Sequence, residues 1–156
     1  MTQQQPQWQS FDDIIDYAIE NEIAAQKFYL DAAKKMENRL IKEMFLGFVT
    51  EEKKHENTLR KLLKSMPEDL PFDESRDYRV TETTKAPEVS PDMKPADAFA
   101  LAMNKEQEAM NFYAKLAEGC TDPQLKNIFL ELASMERQHK FQMEKAFVDT
   151  GFPEAW

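Results

Sequence analysis

Hydrophobic residues recur at alternating steps of three and four along four stretches of the chain. This spacing places them on one face of an α-helix, so each stretch is predicted to be an amphipathic helix whose apolar stripe faces a core. The four helices are predicted at about residues 11–36, 39–65, 95–119 and 122–149. The pattern therefore indicates an all-α protein.

Residues that favour helix ends flank these stretches. Ser10 offers a side-chain oxygen to cap the first helix, and Asp122 does the same for the fourth. Pro95 and Pro123 suit a first helical turn, where a backbone N–H has no intrahelical partner to lose, and Gly119 follows the third helix. These signals support the boundaries that the stripes predict.

The stretch between the second and third helices is long and differs in composition. Residues 66–95 contain five of the eight prolines and little periodicity, which predicts a linker over 66–94. Two helical hairpins joined by one long crossover is the connectivity of a ferritin-like four-helix bundle, whereas a short loop would favour simple up-and-down order. Residues 11–149 are thus predicted to form one domain, between a disordered tail at 1–10 and a C-terminal tail at 150–156.

The two hairpins are predicted to be copies of each other. Three pairs of polar residues on the apolar stripes are separated by the same 84 positions. The pairs are Glu22 with Glu106, Glu52 with Glu136, and His55 with His139. The same offset, without a gap, aligns KFY at 27–29 with NFY at 111–113. Self-similarity at one fixed offset indicates a duplicated hairpin.

Both histidines of the chain stand in a Glu-x-x-His frame, formed by Glu52 with His55 and by Glu136 with His139. Three residues advance a helix by about 300°, so the two side chains of each frame share a face and lie one turn apart. A glutamate also lies on the stripe of each of the other two helices. The interior of the bundle is therefore predicted to receive four carboxylates and two imidazoles.

Four buried carboxylates in one place require compensation, since burial of an unpaired charge is costly and like charges repel. The stripes carry no lysine or arginine that could supply it. Two divalent cations would balance the charge. A glutamate from each of two helices plus Glu-x-x-His from each of the other two is the ligand pattern of di-iron and di-manganese bundles. The sequence therefore predicts a di-metal centre, and a buried hydrogen-bonded network is the alternative.

Tyr29 and Tyr113 follow the glutamates of the first and third helices by seven residues, which is two turns along the same stripe. Their hydroxyls are predicted to hydrogen-bond a ligand carboxylate or to supply an electron during oxidation, which would give both residues a catalytic role beside the metals. The alternative is that the two rings simply pack in the core.

Charge and composition narrow the candidate partners. The net charge of −9 disfavours nucleic acid and anionic membrane surfaces, and no apolar run approaches the roughly 18 residues of a membrane-spanning helix. The single cysteine, Cys120, cannot form an internal disulfide or a cysteine-rich metal site, which favours a reducing, cytoplasmic location. Four acidic residues that fall off the stripes are expected to be solvated, namely Glu20, Glu51, Glu56 and Glu108.

The segments ENEIAAQKFY, EEKKH, KEQEAMNFY and MERQH resemble those of rubrerythrins, a branch of the ferritin-like superfamily. The resemblance covers about residues 11–149 and implies a four-helix bundle that holds two iron ions through carboxylates. The implied ligands are Glu22, Glu52, His55, Glu106, Glu136 and His139. By the same resemblance, Glu52 and Glu136 would bridge the two ions, and the other two glutamates would each bind one.

The chain departs from related families in three ways. Full-length rubrerythrins carry a rubredoxin module with four iron-binding cysteines, which these residues lack, so a separate rubredoxin-like or similar protein is the expected electron donor. Rubrerythrins tend to have a further glutamate, used in peroxide turnover, one turn after the third-helix ligand; here that residue is Ala109. The ligand set also resembles a bacterioferritin ferroxidase centre. However, Lys53 stands where a haem-binding methionine would be sought, so no haem is expected.

The resemblance implies a non-haem di-iron oxidoreductase of the rubrerythrin type, which reacts with H₂O₂ or O₂ in oxidative-stress defence or iron oxidation. Iron storage or buffering is the first alternative. A dimanganese catalase-like centre is the second, because carboxylate-rich sites also suit manganese. We expect a homodimer, in which a linker of this length would also permit exchange of hairpins between subunits.

Overall fold

The computed structural model describes residues 10–65 and 88–150, which form four α-helices. The helices are α1 (Phe11–Lys35), α2 (Arg39–Ser65), α3 (Pro95–Glu118) and α4 (Pro123–Thr150). Each end lies within one residue of the position that the stripes predict. Most of the predicted linker and most of each predicted tail fall outside the described residues, which exclude 1–9, 66–87 and 151–156. No described helix is both long enough and apolar enough to cross a membrane.

Side-chain hydrogen bonds cap the beginnings of three helices. A backbone N–H of the first turn of α1 donates to Ser10 Oγ at 3.2 Å, and one of α4 donates to Asp122 Oδ2 at 3.0 Å. Asn38 Oδ1 accepts from two N–H groups at the beginning of α2, at 2.9 and 3.2 Å. Each bond satisfies a donor that the first turn leaves without an intrahelical partner.

Two helical hairpins make up the bundle, because α1 packs extensively against α2 and α3 against α4. The hairpins meet through α1 with α3 and through α2 with α4. α1 and α3 are antiparallel, since Tyr29 pairs with Glu106 whereas Glu22, seven residues earlier, pairs with Tyr113, seven residues later. α2 therefore ends at the opposite end of the bundle from the beginning of α3. This confirms the predicted connectivity of a ferritin-like four-helix bundle.

Buried apolar side chains form two separate clusters, one on each side of a polar layer. The first cluster, termed core A, includes Ile14, Ile15, Leu59, Leu116 and Phe129. The second, termed core B, includes Ala32, Phe45, Phe99, Met143 and Phe147. Every helix contributes to both cores and crosses the polar layer between them.

The 84-residue repeat relates the two cores to each other. Ile15 of core A corresponds to Phe99 of core B, and Phe45 of core B corresponds to Phe129 of core A. The duplication therefore acts as an approximate twofold axis that passes through the polar layer and exchanges the two ends of the bundle.

Removal of a large side chain from either core should destabilise the bundle. Phe99 is fully buried in core B, so Phe99→Ala removes its contacts and leaves a cavity. We expect the free energy of unfolding to fall by about 3–5 kcal/mol. The control is Val148→Ala, because Val148 is 71% exposed, and its effect should stay within about 0.5 kcal/mol. Chemical denaturation followed by circular dichroism measures both variants, and an unchanged midpoint for Phe99→Ala would contradict the assigned core.

Candidate metal centre

Six ionisable residues converge in the polar layer between core A and core B. Each of them is at most 3% exposed. They are the six ligands that the sequence predicts, namely Glu22, Glu52, His55, Glu106, Glu136 and His139. The structure therefore brings all six together, one or two from each helix.

The donor atoms of these residues form two overlapping groups, each compact enough to hold one cation. In the first group, atoms of Glu22, Glu52, His55 and Glu136 lie within 4.8 Å of one another. In the second, atoms of Glu52, Glu106, Glu136 and His139 do so. Two glutamates, Glu52 and Glu136, belong to both groups and can bridge two cations. The groups are termed the His55 position and the His139 position.

Both imidazoles turn the same ring nitrogen toward the carboxylates. His55 Nδ1 lies 2.9 Å from Glu136 Oε1 and 3.2 Å from Glu52 Oε2. His139 Nδ1 lies 3.1 Å from Glu52 Oε1 and 3.4 Å from Glu106 Oε1. The two rings are nearly parallel, with 6.1 Å between their centroids. Nδ1 is therefore the nitrogen that would meet a cation shared with the carboxylates.

Two buried tyrosines hold the glutamates of α1 and α3. The hydroxyl of Tyr29 donates to Glu106 Oε1, and the hydroxyl of Tyr113 donates to Glu22 Oε1. Burial, together with the nearby carboxylates, raises the pKa of both tyrosines, so they remain protonated donors. Each hydroxyl occupies one oxygen of its glutamate. The other oxygen, Oε2, has no hydrogen-bond partner among the described residues.

Buried donor atoms that make no hydrogen bond show that the cluster fits a pair of metal ions. Within residues 10–65 and 88–150, five buried side-chain atoms lack a hydrogen-bond partner. All five belong to residues of the two groups, and the four besides His55 Nε2 are Glu22 Oε2, Glu52 Oε1, Glu106 Oε2 and His139 Nδ1. An unsatisfied buried polar atom costs about 1–3 kcal/mol, and a bound cation would satisfy these four. Carboxylate oxygen and imidazole nitrogen also suit iron and manganese.

The charge of the cluster is offset only by histidine within the described part of the chain. Every ion pair that the four glutamates make there is with His55 or His139. Burial and the neighbouring Glu52 carboxylate raise the pKa of Glu22 to about 8. Burial alone would lower the pKa of His55, but its contacts with Glu136, Glu22 and Glu52 raise it to about 12. The cluster therefore holds protons at neutral pH that a cation has to displace.

Glu56 contradicts the expectation that acidic residues off the stripes are solvated. Its side chain is only 4% exposed. It accepts hydrogen bonds from Gln26 at 2.9 Å, Arg60 at 2.7 Å and Lys53 at 3.2 Å. The bonds from Gln26 and Arg60, supported by Lys53, lower the pKa of Glu56 to about 2. The sequence contains a signal for this environment, because the basic residues Lys53 and Arg60 lie three positions before and four positions after Glu56 on one helix face.

For Glu51, the expectation that acidic residues off the stripes are solvated is correct only in part. Its side chain is 43% exposed, yet its Oε2 lies 2.7 Å from Nε2 of His139. Sequence reasoning missed this contact because it joins α2 to α4 across 88 residues, and no pattern within either helix marks it.

The sequence model of one protein family, described as rubrerythrin, matches residues 13–147. None of the curated proteins searched matches the chain significantly. The family match therefore covers most of the chain and includes the six converging residues.

Two solved structures resemble the chain over most of its length. A hypothetical protein from Pyrococcus furiosus is 29% identical, with 89% of each chain covered and a TM-score of 0.70. A protein from Thermotoga maritima, provisionally described as a ferritin-like diiron-carboxylate protein, is 20% identical, with a TM-score of 0.74. That comparison covers 85% of this chain and 91% of the other. The second likeness, at so low an identity, shows the shared fold alone.

Removal of a glutamate that belongs to both groups should lower the number of bound cations more than removal of a glutamate that belongs to one group. Glu52→Ala removes a donor from both positions, so we expect stable binding of two cations to be lost. Glu22→Ala removes a donor from the His55 position only and should leave one cation bound. Anaerobic loading with Fe²⁺ followed by metal analysis measures the stoichiometry. The exposed Glu43, paired with Arg39 on the surface, supplies the control Glu43→Ala. Two cations retained by Glu52→Ala would refute the shared geometry.

Metal binding should release protons and weaken as the pH falls. The pKa of Glu22 is raised to about 8 and that of His55 to about 12, so both groups hold protons at neutral pH. These protons compete with the cation, and the apparent affinity should therefore rise from about pH 6 to about pH 9. Calorimetric titration with Mn²⁺ in two buffers of different ionisation enthalpy measures the protons released. Binding without proton release would contradict the raised pKa of Glu22.

Proposed function

Because the chain belongs to the rubrerythrin family, we propose that it is a non-haem di-iron oxidoreductase that reduces H₂O₂ or O₂ with electrons from an external donor. The observation that carries the proposal is the buried cluster in which two groups of four donors share Glu52 and Glu136. Iron is proposed over manganese because the resemblance to rubrerythrins implies a centre of two iron ions.

The side chains of the cluster have defined tasks in this proposal. Two iron ions, when bound, would supply two electrons to the oxidant and be restored by the external reductant. Glu52 and Glu136 would each bind both cations, because each contributes a ligand atom to both groups. Core A and core B cover the layer from either end of the bundle and exclude bulk water from it.

Tyr29 and Tyr113 are proposed to position the terminal glutamates. Each hydroxyl holds one carboxylate oxygen from the facing helix, which orients the other oxygen toward the metal position. A buried phenol in this place could also give one electron to the oxidised metal centre, because its proton can pass to the glutamate that already accepts its hydrogen bond. The hydrogen bond and the supply of an electron are the two forms of the role beside the metals that the sequence predicts for both tyrosines.

The electron donor is proposed to be a separate rubredoxin-like or similar protein. These 156 residues hold one cysteine, so they cannot form the four-cysteine iron site that would pass electrons within one chain. Cys120 itself is buried, and its thiol donates to the carbonyl oxygen of Leu116. A homodimer, hairpin exchange and a cytoplasmic location stay predictions.

The test is oxidation of the iron-loaded protein under anaerobic control. Protein with two Fe²⁺ per chain is mixed with H₂O₂ or O₂, and the near-ultraviolet spectrum is followed before and after addition of a reductant. We expect a rapid spectral change that the reductant reverses over repeated cycles, and its loss in Glu52→Ala. Uptake of iron well beyond two ions per chain, without repeated cycles, would favour storage. Oxygen release from H₂O₂ by the Mn²⁺-loaded protein alone would favour the dimanganese alternative.

A further inference from the structure

The two metal positions are related by the duplication, yet their histidines have different surroundings. His139 Nε2, the nitrogen that faces away from the cluster, lies 2.7 Å from Glu51 Oε2. His55 Nε2 is buried and has no hydrogen-bond partner within the described ranges. The residue 84 positions after Glu51 is Met135, whose thioether is at best a weak acceptor. The repeat is therefore broken at the residue that could support the outer nitrogen.

A second difference lies at the faces of the two imidazole rings. Phe48 of α2 packs against His139, with 4.3 Å between ring centroids and 31° between the ring planes. The residue that corresponds to Phe48 in the second hairpin is Leu132. His139 is thus held at one face by an aromatic ring and at its outer nitrogen by a carboxylate. Both supports come from α2.

We propose that Glu51 makes the His139 position the tighter of the two, so that cations bind in order, first at the His139 position and then at the His55 position. The inference rests on the proposed di-metal centre and adds to it a difference between the two positions. Glu51 acts here as a positioning residue, since it would contact the histidine and not the cation.

The hydrogen bond at Nε2 affects cation binding through the other nitrogen of the ring. When Nε2–H donates to Glu51, the proton is fixed there and Nδ1 keeps its lone pair for a cation. The carboxylate also makes Nδ1 a stronger donor, and loss of such a partner typically lowers metal affinity by about 10- to 100-fold. His55 lacks this support among the residues that the structure describes, where its buried Nε2–H would remain unsatisfied whenever Nδ1 binds a cation.

The exposure of Glu51 distinguishes a directed hydrogen bond from a general effect of charge. Its side chain is 43% exposed, so solvent screens its charge at longer range. The short contact to Nε2 is then the main path by which it acts. Glu51→Gln, which keeps an oxygen acceptor without the charge, should therefore retain part of the effect, whereas Glu51→Met should lose all of it.

The test is an anaerobic titration of the metal-free protein with Co²⁺, whose visible absorption reports each binding step. In the unmodified protein we expect two steps whose dissociation constants differ by at least about 10-fold. Glu51→Met should weaken the first step by about 10- to 100-fold and bring the two steps together, with Glu51→Gln between these limits. Met135→Glu should tighten the second step, a gain that misfolding cannot produce. The control is Glu43→Gln on the exposed surface of α2, which should leave both steps unchanged.

Two further variants assign the steps to positions. Glu106→Ala damages only the His139 position and should leave the weak step, whereas Glu22→Ala damages only the His55 position and should leave the tight step. Equal affinities in the unmodified protein, or a tight step that survives Glu51→Met, would overturn the inference while the di-metal centre stands. Failure of the unmodified protein to bind any Co²⁺ would overturn both.

Discussion

The mutual repulsion of four carboxylates buried in one layer is the constraint on which the rest of the structure depends. Burial opposes ionisation of each carboxylate, and the charge of each opposes that of its neighbours, so the layer needs imidazoles, phenols or cations to persist. Burial of apolar side chains in core A and core B, which enclose the layer, offsets the free-energy cost of burying the carboxylates. Contacts within the polar layer also join the two hairpins. α2 and α4 approach each other at few points, and the contacts of His55 with Glu136 and of His139 with Glu51 link them there.

The duplication explains why one layer can hold two metal positions. A repeat that places a carboxylate in one helix and Glu-x-x-His in the next yields two such sets, and an approximate twofold axis through the layer brings them face to face. The axis also exchanges core A and core B, so each hairpin supplies half of both. Symmetry of this kind fixes the ligands but leaves the residues around them free to differ, as Phe48 and Leu132 do.

The stripes, the long proline-containing linker and the 84-residue offset were sufficient to predict the helices, their connectivity and the six residues that converge. They were insufficient wherever a partner lies on another helix. Tyr29 shares a stripe with Glu22 but binds Glu106, because α1 and α3 run in opposite directions. Glu51 and Glu56 fall off the stripes, so the pattern predicts that they are solvated. Their neighbours in space, His139 and Gln26, come from helices whose relative rotation no single-helix pattern records.

The contrast between Glu51 and Met135 bears on whether iron is a cofactor or a substrate of this protein. A cofactor that cycles between two oxidation states has to remain bound at both positions, which favours equal support for both histidines. A centre that passes iron onward needs one position that releases its ion. Because His55 Nε2 has no hydrogen-bond partner among the described residues, exchange would take place at the His55 position, while an ion at the His139 position would stay bound. A protein whose two positions differ in affinity could retain one iron ion as a cofactor and release the other. Oxidation chemistry and iron buffering need not be exclusive alternatives here.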